Sequence, residues 1–274
     1  MQADWFFTTG KPHHVCEDYA IKGDDCVIIS DGCSSAHYTD VGARLLAHSA
    51  RIILEQNPAF DWSYDNFGQA VIAQATKLIN ALGMKHECLY TTLIVAKVMP
   101  SGAINVKMYG DGIIITISDE TIQTFEVMYT NNMPYYLGYR TNPSDMDSYK
   151  RCQNKMAIVH SVDGIVSETM ECRYDYQIDY TFDPTKEHTI LISSDGLSNF
   201  AKDKTRELIP LASVVHAVVD FKGLKGEFIK RRLSRVVQDM AASQVFPYDD
   251  VSVAGIYLEK GDRQWQNAIL AESE

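Results

Sequence analysis

Aspartate recurs beside glycine at the ends of apolar runs in this chain. Val27–Gly32 reads VIISDG and Ile190–Gly196 reads ILISSDG. In each, an apolar run ends in a small polar residue, then Asp, then Gly. A carboxylate at the end of a buried strand is held rigidly, and the glycine lets the backbone turn sharply and approach a ligand closely. Tyr109–Gly112 (YGDG) sets Gly110 and Asp111 between two further apolar runs, Glu17–Asp18 precedes the first run, and Asp249–Asp250 precedes the last. Taken singly, Asp-Gly between strands is an ordinary turn, Asp249–Asp250 a polar loop edge, and Glu17–Asp18 solvated surface. Brought to one place, these carboxylates repel each other unless cations neutralise them. Oxygen-only ligands select hard divalent ions, Mg²⁺, Mn²⁺ or Ca²⁺. Two such ions ~3.5–4 Å apart make a site for hydrolytic displacement at phosphorus.

The elements that must position them are short runs rich in Val, Ile and Thr. Cys26–Ser30, Tyr90–Val98, Ala103–Tyr109, Gly112–Ser118, His188–Ser194 and Val251–Leu258 read as strands. Three segments show helical spacing. The first carries Val41, Leu45, His48 and Ile52 after Thr39 or Asp40 as a cap. The second carries Phe67, Val71, Gln74, Leu78 and Leu82, and the third Leu224, Phe228, Leu233, Val237 and Met240. A strand is followed by two helices, a run of strands, a late strand leading to a helical stretch, and a closing strand. Strictly alternating βαβ units are absent, so the expected class is α+β, with helices layered on antiparallel sheets. Residues 129–185 are polar and Tyr-rich with few clear elements and read as an insertion or flap. Residues 259–274 read as a surface tail. No linker stands out, so the expectation is a single domain over 1–274.

The chain has 274 residues, with 25 Lys+Arg against 36 Asp+Glu and a net charge of −11. That balance argues against a nucleic-acid partner. Hydrophobic residues at 46% and charged residues at 22% exclude a disordered chain. The first residues lack a basic stretch followed by an apolar run, and no run reaches the ~18 apolar residues of a membrane span. The six cysteines include no CxxC pair, so no structural zinc site is expected. These features predict a soluble, cytoplasmic protein with reduced thiols.

The order of acidic motifs resembles that of the metal-dependent protein phosphatases of type 2C. That family reads an acidic pair, D-G after a strand, G-D in the middle, D-G after a later strand, and D-[DN]-x-[ST] before a last strand. Glu17–Asp18, Asp31–Gly32, Gly110–Asp111, Asp195–Gly196 and Asp249-Asp250-Val251-Ser252 stand in that order over roughly residues 10–258. Thr91–Thr92, entering a strand, resembles the family's small-residue-Thr step. The resemblance implies a central antiparallel β-sandwich flanked by pairs of α-helices, a four-layer α-β-β-α fold. It implies two Mn²⁺ or Mg²⁺ ions. Asp31 resembles the carboxylate that bridges both, with Glu17 and the Gly32 carbonyl as ligands of one, and Asp195 and Asp249 as ligands of the other. Asp249 is preferred to Asp250 because the family's ligand stands three positions before the Ser/Thr, here Ser252. Asp18 resembles the residue that holds metal-bound water. Asp111 with Asp195 resembles the pair that holds a third, weaker ion in bacterial members. The family's phosphate-binding Arg is missing. His13 stands at its offset, and Lys11 or His14 are the other candidates. Cys33 replaces the His that follows D-G in many eukaryotic members, which points to the microbial branch.

The implied activity is hydrolysis of phosphoserine and phosphothreonine in a protein substrate, by water and without a covalent intermediate. Two readings from other classes stay open. One is a pseudophosphatase that binds a phosphoprotein or partner without turnover. The other is a serine hydrolase, since Gly32-Cys33-Ser34-Ser35-Ala36 follows a strand much as a nucleophile elbow does. No cysteine is followed six positions later by Arg, no GxxxxGK[ST] occurs, and Asp145-Met146-Asp147 reads as loop.

Overall fold

The apolar runs that end in Asp-Gly are central strands of two facing sheets. The computed structural model describes residues 1–56 and 60–259; the expected tail from 260 onward lies outside the described residues. In chain order the strands are β1 (Gln2–Thr8), β2 (Tyr19–Lys22), β3 (Cys26–Ser30), β4 (Leu93–Val98), β5 (Ile104–Tyr109), β6 (Gly112–Ile117), β7 (Ile122–Tyr129), β8 (Lys155–Val162), β9 (Ile165–Arg173), β10 (Ile178–Phe182), β11 (Thr189–Ser193), β12 (Phe200–Lys202), β13 (Val245–Pro247) and β14 (Val251–Tyr257). The helices are α1 (Thr39–Gln56), α2 (Tyr64–Ala81), α3 (Pro143–Arg151), α4 (Leu211–Val219) and α5 (Phe228–Ala242). One sheet has seven strands in the order β1-β14-β11-β6-β7-β8-β9, and the other five in the order β10-β5-β4-β3-β2. Neighbouring strands pair antiparallel throughout both sheets.

Three apolar layers hold the stack. Val27, Ile29, Ile94, Met108, Ile114, Ile190 and Ala254 fill the space between the sheets. Ile28, Leu93 and Val95 face outward against Leu46, Ala47, Phe67 and Val71 of α1 and α2. Ile113, Ile115, Leu191 and Val253 face α4 and α5 through Val215, Phe228 and Leu233. The central strands are therefore buried on both faces, which is why β3, β6 and β11 read as unbroken apolar runs rather than as alternating ones. This is the expected α+β sandwich with helices on both outer faces.

Several expectations need correction. The buried face of α1 is Ala43, Leu46, Ala47, Ala50 and Leu54, while Val41, Leu45, His48 and Ile52 are only half-buried. Small residues let α1 approach the sheet, and alanine gives little signal in a hydrophobic pattern. In α2, Phe67 and Val71 are buried as expected, but the face continues through Ala75 and Ile79; Leu82 lies past the helix and is 60% exposed. The third helical stretch is α5, which holds Phe228, Leu233, Val237 and Met240; Leu224 falls before it, and α4 is a helix that the spacing does not predict. The Thr39 hydroxyl does not cap α1: it donates to Glu17 Oε1 at 3.0 Å and to the Cys33 carbonyl at 3.2 Å. Residues 129–185 hold α3, β8, β9 and β10. β8 and β9 extend the seven-stranded sheet to its edge, where β9 is mostly exposed and carries Ser, Glu, Thr and Arg. Asp145-Met146-Asp147 lies in α3, with Asn142 accepting from the Ser144 amide at 3.0 Å as its cap. Among the described residues, no helix is long and apolar enough to cross a membrane.

Candidate metal centre

Strand ends from both sheets converge at one end of the sandwich. β3 leads into Asp31 and β11 into Asp195; the β5–β6 corner presents Asp111, and Asp249 stands just before β14. These four line a cavity of about 280 Å³ with Gly32, Cys33, Ser34 and Ser35 from the loop after β3, and with Asn131, Asn132 and Tyr136 from the segment after β7. Local chemistry fixes each turn. The Asp31 amide donates to Thr92 Oγ1 at 3.0 Å, and its carbonyl accepts from the Thr92 amide at 2.8 Å. Gly110, at φ +99, lets the chain pass from one sheet to the other around Asp111. At Gly196 a Cβ would sit 1.8 Å from the Asp250 carbonyl oxygen, so only glycine permits this approach of β11's end to β14.

Asp18 is not on the lining; it is fully buried and acts electrostatically on Asp31. Ser194 Oγ donates to its Oδ2 at 2.7 Å and in turn accepts from the Ser252 amide at 3.0 Å. Its other oxygen, Oδ1, is buried with no hydrogen-bond partner. A buried orphan carboxylate oxygen is costly, and its presence calls for a ligand.

Electrostatics points the same way. Burial pushes Asp18 up to about 7, with the Asp250 charge adding to the shift. Burial, then the charges of Asp18, Asp195, Asp249 and Asp111, hold Asp31 well above the usual carboxylate range. Burial and then Asp195 do the same to Asp111, and burial and then Asp249 push Asp195 up to about 6. Asp249 is also raised, chiefly by burial. The set resists carrying its full negative charge at neutral pH, and a divalent cation relieves that resistance. An all-oxygen donor set fits Mg²⁺ or Mn²⁺.

The other candidates fall around this cavity rather than on its lining. Glu17 is beside Gly32, whose amide donates to the Glu17 carbonyl at 3.2 Å; burial raises its carboxyl. His13, Glu17 and Asp250 offer ligand atoms within 4.8 Å of one another. His13 Nδ1 is 3.1 Å from Asp250 Oδ1 and 3.9 Å from Asp249 Oδ1. Lys11 pairs with Asp203 and sits 3.9 Å from the Phe246 ring centroid. His14 is exposed. Ser34 lines the cavity, but among the described residues no histidine does, so the nucleophile–base pair of a serine hydrolase is not formed. Ser194 and Ser252 escape assignment from the sequence, although each sits inside a recognised motif. Asn131, Asn132 and Tyr136 carry no motif. The two asparagines take φ +60 and +50, and the buried Tyr136 ring stacks on Tyr90 at 6.3 Å and 7°.

The family model described as protein phosphatase 2C matches residues 12–238, and the chain belongs to that family. Solved structures agree in fold. The Mycobacterium tuberculosis serine/threonine phosphatase PstP/Ppp aligns with a TM-score of 0.55 at 12% identity, over 94% of this chain and 98% of its own. The Ser-Thr phosphatase MsPP from Mycobacterium smegmatis, in complex with cacodylate, gives 0.54 at 15% identity over 94% and 99%. The catalytic domain of PstP in complex with 2 manganese ions gives 0.53 at 12% identity over 94% and 98%. A comparison with curated protein sequences gives no match.

Proposed function

We propose that this chain is a metal-dependent phosphoprotein phosphatase that hydrolyses phosphoserine and phosphothreonine by direct attack of water. The observation that carries the reading is the convergence of Asp31, Asp111, Asp195 and Asp249, with Asp18 acting on Asp31 and its Oδ1 buried without a partner. Glu17, Asp31, the Gly32 carbonyl, Asp195 and Asp249 would hold two Mn²⁺ or Mg²⁺ ions, and Asp111 with Asp195 a third. The two manganese ions of PstP support this count. When bound, such ions lower the pKa of water and neutralise charge developing on the phosphoryl oxygens. Asp18 keeps one oxygen anchored by Ser194 and leaves Oδ1 free to accept a hydrogen bond from the attacking water and orient it. Thr92 fixes Asp31, and Asp250 fixes the backbone of Glu17.

A second reading, a catalytically weak pseudophosphatase that binds a phosphoprotein, is favoured by one observation: among the described residues, no Lys, Arg or His lines the cavity. One assay separates the two. Hydrolysis of para-nitrophenyl phosphate is measured with Mn²⁺, with EDTA, and for Asp31→Ala and Asp195→Ala. The phosphatase reading expects turnover that needs metal and is lost in both variants. Metal-independent turnover, or full activity in either variant, sinks it. Tight Mn²⁺ binding without any turnover establishes the pseudophosphatase.

A further inference from the structure

The loop after β3 has two ends with different surroundings. Cys33, Ser34 and Ser35 line the acidic cavity. Two residues further on, His37 and Tyr38 line a separate groove of about 490 Å³, whose other sides include Val41 of α1, Met84, Lys85 and Glu87. The end of α2 and the loop that border the groove are held by backbone hydrogen bonds. Past α2, the Gly83 amide donates to the Asn80 carbonyl and the Met84 amide to the Ile79 carbonyl, a glycine-centred C-terminal cap. The loop is pinned by the Cys33 amide donating to the Tyr90 carbonyl at 2.9 Å.

Tyr38 breaks the local rules at the start of α1, and its ring centroid lies 6.4 Å from that of His37. The Gly42 amide donates to its carbonyl at 3.0 Å, so Tyr38 occupies the N-cap position of α1. That position favours Ser, Thr, Asp or Asn, whose side chains satisfy the free amides. Tyr38 offers no such group, takes φ +61, and is 71% exposed. Bulky residues rarely adopt the left-handed region, and those that do cluster at active sites and ligand clamps, which makes the exposed Tyr38 a candidate contact. Lys85 and Glu87 offset each other in charge, so the groove selects apolar groups rather than a charge sign.

We propose that this groove is a substrate-docking subsite, taking an apolar side chain of the phosphoprotein roughly two to five positions from the phosphorylated Ser or Thr. Ser35 and Tyr38 are three residues apart, a span of at most about 10 Å, which an extended peptide crosses in about three residues. The peptide's phosphoryl group enters the acidic cavity, its backbone crosses Ser34–Ser35, and its apolar side chain lies against Tyr38, Val41 and Met84. This inference rests on the phosphatase reading, and its test separates the two.

Phosphothreonine peptides carrying a single Leu scanned through positions −5 to +5 of a Ser/Gly background are assayed with Mn²⁺ beside para-nitrophenyl phosphate. Burying one leucine-sized side chain is expected to raise kcat/KM about tenfold at a position inside the window. Tyr38→Gly and, independently, Val41→Lys should each remove that gain relative to the para-nitrophenyl phosphate rate. Tyr38→Gly should also raise the Tm, because glycine adopts the left-handed conformation freely. A flat Leu scan, a scan unchanged in both variants, or a Tm that falls in Tyr38→Gly would overturn the subsite. Wild-type protein that hydrolyses neither substrate defeats the phosphatase reading instead. Fluorescence anisotropy with the same peptides then decides the groove: tightening confined to the window supports it, and uniform binding overturns it.

Discussion

Asp249 and Asp250 are chain neighbours with opposite surroundings. The Asp249 side chain is 42% exposed and faces the acidic cavity, whereas that of Asp250 is 2% exposed. Asp250 Oδ1 accepts from the Gly10 amide at 2.7 Å and its Oδ2 from the Glu17 amide at 2.6 Å. One carboxylate is thus available to a ligand. The other ties the segment before β2 to the start of β14 and keeps Glu17 beside Gly32.

The two should separate on mutation. Asp250→Ala leaves two backbone amides without their charged acceptor and is expected to cost about 2–4 kcal/mol of stability. Asp249→Ala is expected to change stability little and to weaken Mn²⁺ binding. Urea denaturation with EDTA reads the first effect and calorimetric Mn²⁺ titration the second. Equal destabilisation by both would contradict this division of labour.

The crowded carboxylates also set a pH dependence. Burial raises Asp18 to about 7 and Asp195 to about 6 in the folded chain, from about 3.9 when unfolded. Between those values the folded state binds more protons, so their contribution to stability is present at low pH and lost as pH rises through 6 to 7. In EDTA the Tm should therefore fall between pH 5 and 7.5, and saturating Mn²⁺ should restore it. Asp31→Asn should raise the metal-free Tm at pH 7.5 by removing the buried carboxyl whose ionisation its neighbours oppose, while abolishing the Mn²⁺ response. A metal-free Tm lower than wild type in Asp31→Asn would show that the cluster is not repulsive.

His13 offers a gain-of-function test. Its Nδ1 faces Asp250, and a single imidazole cannot reproduce the planar fork with which Arg grips phosphate. His13→Arg is expected to lower KM for a phosphopeptide by about tenfold, as a charged hydrogen bond does, with kcat nearly unchanged. His13→Ala should raise KM. An unchanged KM in both would move the phosphate contact elsewhere on the cavity wall.

The site is more legible in the sequence than the elements that carry it. Asp31 and Asp195 each follow an unbroken apolar run and Asp111 stands just before one, and such runs survive because four-layer packing buries both faces of a strand. The helical faces are less legible. Ala43, Ala47 and Ala50 make the α1 contact, and alanine is nearly silent in a hydrophobic pattern, so the apparent stripe through Val41 and Leu45 lies a step around the helix. β9 escapes detection because an edge strand is wet and keeps polar residues, and β8 beside it buries only Met156 and Ile158. Tyr136 and Asn132 reach the cavity only through tertiary packing, which no local pattern records.

Ser194 tests whether Asp18 acts through its orientation. Ser194 Oγ links Asp18 Oδ2 to the Ser252 amide, so it fixes which carboxylate oxygen stays free. In Ser194→Ala the carboxylate loses that anchor and is free to rotate. Outer partners of this kind typically contribute about 10–100-fold in activity or metal affinity. Here the loss should fall on kcat, because Asp18 positions water, and KM for para-nitrophenyl phosphate should stay near the wild-type value. Ser194→Thr, which keeps the hydroxyl, should recover most of the rate. A loss confined to KM, or a Thr variant no better than Ala, would mean that Ser194 only fills space beside β14.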